Sequence, residues 1–304
     1  MKAQRSGPAS LATIGLLLLM GAAWGLEFSM LKLAAEAGFP GTGVLLITLA
    51  LVALVFSAIV TIQRTWFRPT REVVVFLFVI AMLGYVLPLL AALWAAPYVP
   101  AGIMTLIASF TPVVSVACAL ALRSEHVSWR RATAVLLGMA AALLVLVPES
   151  QLPQWGNVIW LLVVFVVPLT YGIESVYVSV AWPKNLTPMQ VAAGQSVVAL
   201  LTMLPIHLVL GEPIPWDPEW PIGQLAILVV AACLLVEVLL YFLIISRTGG
   251  VLVNFSLYIS LFAGIAWGWV IFGERHDAHV WIAVVALAVG LTFTLPPRKK
   301  KPAP

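Results

Sequence analysis

Ten stretches of this chain are long, apolar and nearly free of charge: 10–35, 43–62, 72–95, 101–122, 131–147, 155–181, 188–210, 222–246, 250–272 and 280–295. Most reach the roughly 17–25 residues that a helix needs to cross the hydrocarbon of a bilayer. Backbone groups in lipid must be satisfied within the segment, so helices or a closed barrel are the only spanning solutions. A transmembrane barrel reads as alternating segments of about ten residues, whereas these runs are unbroken. Only 9% of the 304 residues are charged and the mean hydropathy is +1.09, against about 25% charged in a soluble domain. The expected fold is therefore an all-α polytopic membrane protein with ten transmembrane helices. The first run, preceded by Lys2 and Arg5, is longer than the apolar core of a signal peptide and reads as a retained span.

Basic residues set the orientation. With the N-terminus in the cytoplasm, 14 of the 16 Lys and Arg fall on that side, leaving Lys32 and Arg275 elsewhere. Both termini are expected inside, in a plasma membrane of the bacterial inner-membrane kind. The net charge of +4 is spread over short loops and the ends, which is no nucleic-acid footprint. Cys118 and Cys233 lie in apolar runs without metal-ligand spacing, so no metal site is expected.

The chain also repeats itself. Trp24-Gly25-Leu26-Glu27 returns as Tyr171-Gly172-Ile173-Glu174 at a shift of 147, and 100–126 aligns with 249–275 at a shift of 149. Each unit, 1–148 and 149–304, then holds five spans. An odd number of spans inverts the second unit relative to the first, the arrangement of many secondary transporters.

These pieces carry a resemblance. Trp24-Gly25 with Phe28 and Lys32, Pro100-Ala101-Gly102, Thr111-Pro112-Val113, Glu125, Gly249-Gly250-Val251, Tyr258 and Gly273-Glu274-Arg275 stand in the order and spacing of ten-helix EamA-type exporters. The chain thus resembles the drug/metabolite transporter superfamily over nearly its whole length. The resemblance implies export of amino acids, other metabolites or cationic drugs through a central cavity, with the fifth and tenth helices as scaffold. Two positions depart from the pattern: Leu261 stands where a proline is usual, which predicts a straighter span nine, and Glu27 replaces a small or neutral polar residue.

Carboxylates inside spans are costly unless they face a cavity or a partner. Glu27, Glu174 and Glu237 are of this kind. Counting about 1.5 Å per residue places Glu27 and Glu174 about 18 Å apart along the membrane normal, as separate gates, with Glu237 between them nearest a central substrate. Helical spacing puts Tyr85, Pro88, Ala92 and Ala95 on one face of span three, and Leu234, Glu237, Tyr241 and Ile244 on the matched face of span eight. It also aligns Gly102, Thr105, Ser109 and Pro112 on span four with Val251, Asn254, Tyr258 and Leu261 on span nine. Trp24, Tyr85, Trp94, Tyr98, Ser109, Tyr171, Asn254 and Tyr258 join the three glutamates as expected pathway residues. Pro88, Pro112 and Pro168 are expected kinks or hinges, since each removes a backbone donor. Glu125 and Glu274 are expected to cap neighbouring helices.

No HExxH, GxSxG, histidine cluster or phosphate loop is present, which argues against an intramembrane enzyme and against ATP-driven transport. No cofactor is expected. The expected partners are the lipid bilayer, a small-molecule substrate and protons as a coupling candidate, in a monomer or weak homo-oligomer.

Overall fold

The computed structural model of the chain describes residues 11–95, 98, 107–125, 128–149, 158–214, 221–273 and 278–293. Every regular element among them is helical. Span one is Leu11–Glu36, span two Gly41–Ile62, and span three Arg71–Ala81 continued through a π turn at Met82–Val86 into Leu87–Ala95. Span four is described over its second half, Thr111–Ala121, and span five is Trp129–Glu149. Span six joins Val158–Val164 to Val166–Ala181, span seven is Pro188–Leu210 and span eight Pro221–Thr248. Span nine joins Gly250–Val253 to Phe255–Phe272, and span ten is Ala278–Thr292. Among the described residues, seven helices are long and apolar enough to cross a membrane, and Thr111–Ala121 and Trp281–Gly290 are shorter apolar helices. Leu54, Leu162, Leu201 and Ile282 point outward and are exposed, as a lipid-facing surface requires.

The packing is exchangeable between the halves. Span one lies against spans eight and nine, and span six lies against spans three and four. Span two pairs with span seven, and span five with span ten. Renumbering each span by its counterpart leaves this pattern unchanged, so the two five-helix units interlock rather than stand side by side.

Local chemistry places the breaks. Thr187 opens span seven with a capping box: its hydroxyl accepts from Gln190 N–H while the Gln190 side chain accepts from Thr187 N–H. Pro168 sits just past an interruption at Phe165, and Pro112 occupies the first turn of Thr111–Ala121 after a turn at Ser109–Phe110. Pro88 follows the π turn directly, where Leu87 N–H reaches Met82 C=O. The helix runs unbroken through Leu261, from Phe255 to Phe272, and span nine is interrupted earlier in the chain. It breaks at Asn254, whose amide donates to Ser175 Oγ at 2.8 Å and to Gly250 C=O at 3.2 Å. A side chain competing for helix backbone groups does there what a proline does in span four.

Glu125 caps a helix, but not the next one. Its Oε1 accepts from Gly250 N–H at 2.5 Å and Val251 N–H at 3.3 Å, at the start of span nine, while Oε2 pairs with Arg131 at 3.3 Å. Gly249 enters this turn at φ +88°, and a Cβ there would lie 2.3 Å from Glu125 Oε1. The carboxylate thus ties the end of span four to the start of its counterpart in the other repeat. Glu274 lies outside the described residues.

Candidate functional site

The repeated motif builds the centre of the molecule through its glycines. A Cβ on Gly25 would lie 2.5 Å from Gly264 N and 2.7 Å from Ala263 Cβ, on span nine. A Cβ on Gly172 would lie 2.6 Å from Val114 Cγ1 and 3.0 Å from Ser115 N, on span four. The shift of 149 carries Val114-Ser115 onto Ala263-Gly264, so one contact is made twice. Only a residue without a side chain permits backbones this close. Beside these contacts, Trp24 and Tyr171 meet edge to face, with ring centroids 6.2 Å apart.

That crossing corrects the depth of the glutamates. Glu27 and Glu174 each stand three residues beyond it, so their separation along the helix axes is about 9 Å, half the value read from the sequence. Span eight bridges the gap. The carboxyl groups of Glu237 and Glu27 meet within hydrogen-bonding range. One turn along the same face, Tyr241 donates its hydroxyl to Glu174 Oε2 at 3.0 Å. The carboxyls expected as outer and inner gates thus lie along one acidic cluster linked by span eight. Its members are held by both repeats, and Tyr85 and Tyr171 lie within electrostatic reach of all three carboxyls.

The two ends of the cluster are held differently. Glu174 is buried, and Gln195 Nε2 on span seven donates to its Oε1 at 3.2 Å and to Ile80 C=O at 3.0 Å. Gly84, inside the π turn, makes room for this carboxyl: a Cβ there would lie 2.6 Å from Glu174 Oε1. Glu237 is 5% exposed, and its Oε1 is buried without a hydrogen-bond partner. Two carboxyls this close cannot both ionise cheaply, so the Glu27–Glu237 pair is a candidate place to hold a proton.

Other expected pathway residues lie elsewhere. Trp94 and Tyr98 are exposed at 55% and 44%, and Tyr98 stacks on Trp160 at 4.3 Å. Ser109 turns to Met139 Sδ at 3.8 Å, and Tyr258 donates to Val135 C=O at 3.2 Å with its ring against Gly138. Both therefore reach span five, and Tyr258 is wholly buried. The stripes on spans four and nine thus face helix contacts at these positions. Tyr241 shares the face of Glu237 but was not among the expected pathway residues. Gln195 and Gly84 had weaker signals: an amide in an apolar span, and a glycine one residue before Tyr85. Gly102 and Thr105 lie outside the described residues, as does the Lys32 side chain. His207 faces Thr42 Oγ1 at 3.1 Å.

A bundle of apolar helices, interlocked in two exchangeable halves around buried carboxyls, defines a multi-pass membrane transporter. Two successive stretches, residues 11–147 and 158–295, match the EamA-like transporter family, and the chain belongs to it. No curated protein matched the sequence significantly. A protein of solved crystal structure shares the fold, with a TM-score of 0.72 at 18% identity, covering 91% of this chain and 97% of that one.

Proposed function

We propose that this transporter exports a small amine-bearing metabolite, an amino acid with a neutral or aromatic side chain, by alternating access across the plasma membrane. Both termini would be cytoplasmic, as the basic loops require. The reading is carried by the convergence of Glu27, Glu174 and Glu237 from spans of both repeats beside Trp24, Tyr85 and Tyr171. Buried carboxyls supply a counter-charge for an ammonium group, and aromatic rings supply an apolar wall that also tolerates cations. Interlocked halves related by inversion give a simple route to two access states, since rocking one unit against the other opens either side of a fixed site. The membership in a transporter family makes transport rather than intramembrane catalysis the working class.

Counterflow in proteoliposomes, with labelled amino acids and with or without an imposed proton gradient, tests this. Saturable exchange of neutral or aromatic amino acids is expected, and Glu237→Gln should lower its rate by about tenfold or more, the cost of losing a charge-assisted hydrogen bond. Exchange that is unaltered in Glu237→Gln would sink the site assignment. A second reading, export of flat organic cations, is favoured by the Trp24–Tyr171 ring pair beside the carboxyls. It would show as competition by such cations without competition by amino acids.

A further inference from the structure

We infer that the acidic cluster is divided in its work: Glu27 and Glu237 form the station that receives an ammonium group, and Glu174 is a positioning residue that never meets the ligand. This rests on the transporter reading above and deepens it.

Repeat symmetry makes Glu27 and Glu174 counterparts, so equal roles would be the simplest expectation. Their surroundings are unequal. The shift of 149 places Pro88 opposite Glu237 and Ala92 opposite Tyr241, so span eight brings polar groups where span three brings none. Both oxygens of Glu174 accept hydrogen bonds, from Tyr241 and from Gln195, and Gln195 is itself anchored on Ile80 C=O. Each oxygen thus already has a protein donor, and the carboxyl is tied to two helices before any ligand arrives. What Glu174 does is draw spans seven and eight onto the π turn that presents Tyr85.

The pair is different. Glu237 Oε1 is buried and without a donor, a state that costs free energy until a donor arrives. An ammonium group brings three N–H donors. One meets Glu237, and another meets the carboxyl of the pair from which the shared proton leaves. Before binding, two carboxyls and one proton carry a single negative charge. After binding, two carboxylates and one ammonium carry the same charge, and the proton has gone to solvent. No bond other than O–H is broken. Among the described residues, the titratable groups facing the pair are Tyr85 from the π turn, Tyr171 from span six and Cys233 from span eight, with Glu174 within electrostatic reach of both tyrosines. None of them brings a positive charge that would substitute for the ammonium.

The test uses the purified full chain in detergent, with phenethylamine as the probe and 2-phenylethanol as its uncharged control. Thermal shift and proton release into weak buffer are read together. The wild-type protein should bind the amine but not the alcohol, and release one proton for each amine bound. Glu237→Gln and Glu27→Gln should each weaken binding by about tenfold or more and abolish proton release. If one of them does not fold, the other reads the same pair. Tyr241→Phe and Glu174→Gln should bind more weakly yet still release a proton for each amine. Binding without proton release in the wild type overturns the inference. So does retained release in Glu237→Gln, lost release in Glu174→Gln, or no amine binding by the wild type at millimolar concentration. Binding with proton release but no counterflow would remove the transporter reading and leave the division of the cluster standing.

Discussion

Glu174 and Glu237 are both buried carboxyls, yet both oxygens of Glu174 accept a hydrogen bond and Oε1 of Glu237 does not. That difference rests on single side chains, and it can be probed one atom at a time. Tyr241→Phe removes only the hydroxyl that Glu174 accepts. A lowered melting temperature is expected, corresponding to a loss of about 1–3 kcal/mol, the cost of leaving a buried acceptor with one fewer donor. Gly84→Ala puts a methyl group 2.6 Å from Glu174 Oε1, so the carboxyl must shift away from Gln195 or the π turn must relax. Overpacking of this kind costs about 1–3 kcal/mol. Transport should fall in step with stability, and an alanine variant with wild-type melting and transport would show that the contact is slack. Gly25 and Gly172 are as tight, Gly25 against the backbone N of Gly264 at 2.5 Å and Gly172 against Val114 Cγ1 at 2.6 Å and Ser115 N at 3.0 Å. The sequence exposed these glycines as half of a repeated motif. It could not show that each is pressed against the same two positions of the opposite repeat, because that is a property of how helices cross.

At the scale of elements, the carboxylate of Glu125 joins span four to span nine through two N–H groups and is steadied by Arg131. Glu125→Ala strips the acceptor from Gly250 and Val251 and takes the carboxylate away from the buried Arg131 guanidinium. Removing one partner of a buried ion pair costs about 3–5 kcal/mol, so a large drop in melting temperature is expected. Glu125→Ala combined with Arg131→Ala should recover part of it; a double variant that is worse than the single one by the full cost of the second change would show that the pair does not act together. The sequence offered Glu125 only as a cap for its neighbour. Its partner lies 125 positions away, and no local pattern encodes a contact of that range. The break in span nine teaches the same lesson. The helix is unbroken at Leu261, where no proline stands, but Asn254 interrupts the span earlier while bonding Ser175 on span six, and a side chain chooses such a bond only when the neighbouring helix is there.

Over the whole molecule, the interlocked contacts assign different duties to different helices. Spans one, three, six and eight meet at the acidic cluster, while spans five and ten pair with each other at the side. Gly290 approaches Leu137 so closely that a Cβ would lie 3.2 Å from that residue's own. Replacing Cys118 and Cys233 by serine and introducing Leu137→Cys with Gly290→Cys should allow a disulfide, since bridged Cβ atoms stand about 3.8 Å apart. Counterflow should survive that bridge if the pair is scaffold, and a bridge that halts transport would show that these two helices move against each other.

The sequence by itself determined the solvent, the number of helices and the duplication. Hydrocarbon in runs of membrane length has one inexpensive environment, and this is decided segment by segment. It also located the three glutamates, because a carboxyl in an apolar run stands out wherever it folds. Only the tertiary structure decided that Glu27 touches Glu237 and that Glu174 is satisfied by Tyr241 and Gln195. It likewise decided that Ser109 meets Met139 and Tyr258 meets Val135 on span five. Depth along a helix can be counted from the chain, but where two helices cross, and which faces meet there, is settled by packing among residues far apart in sequence.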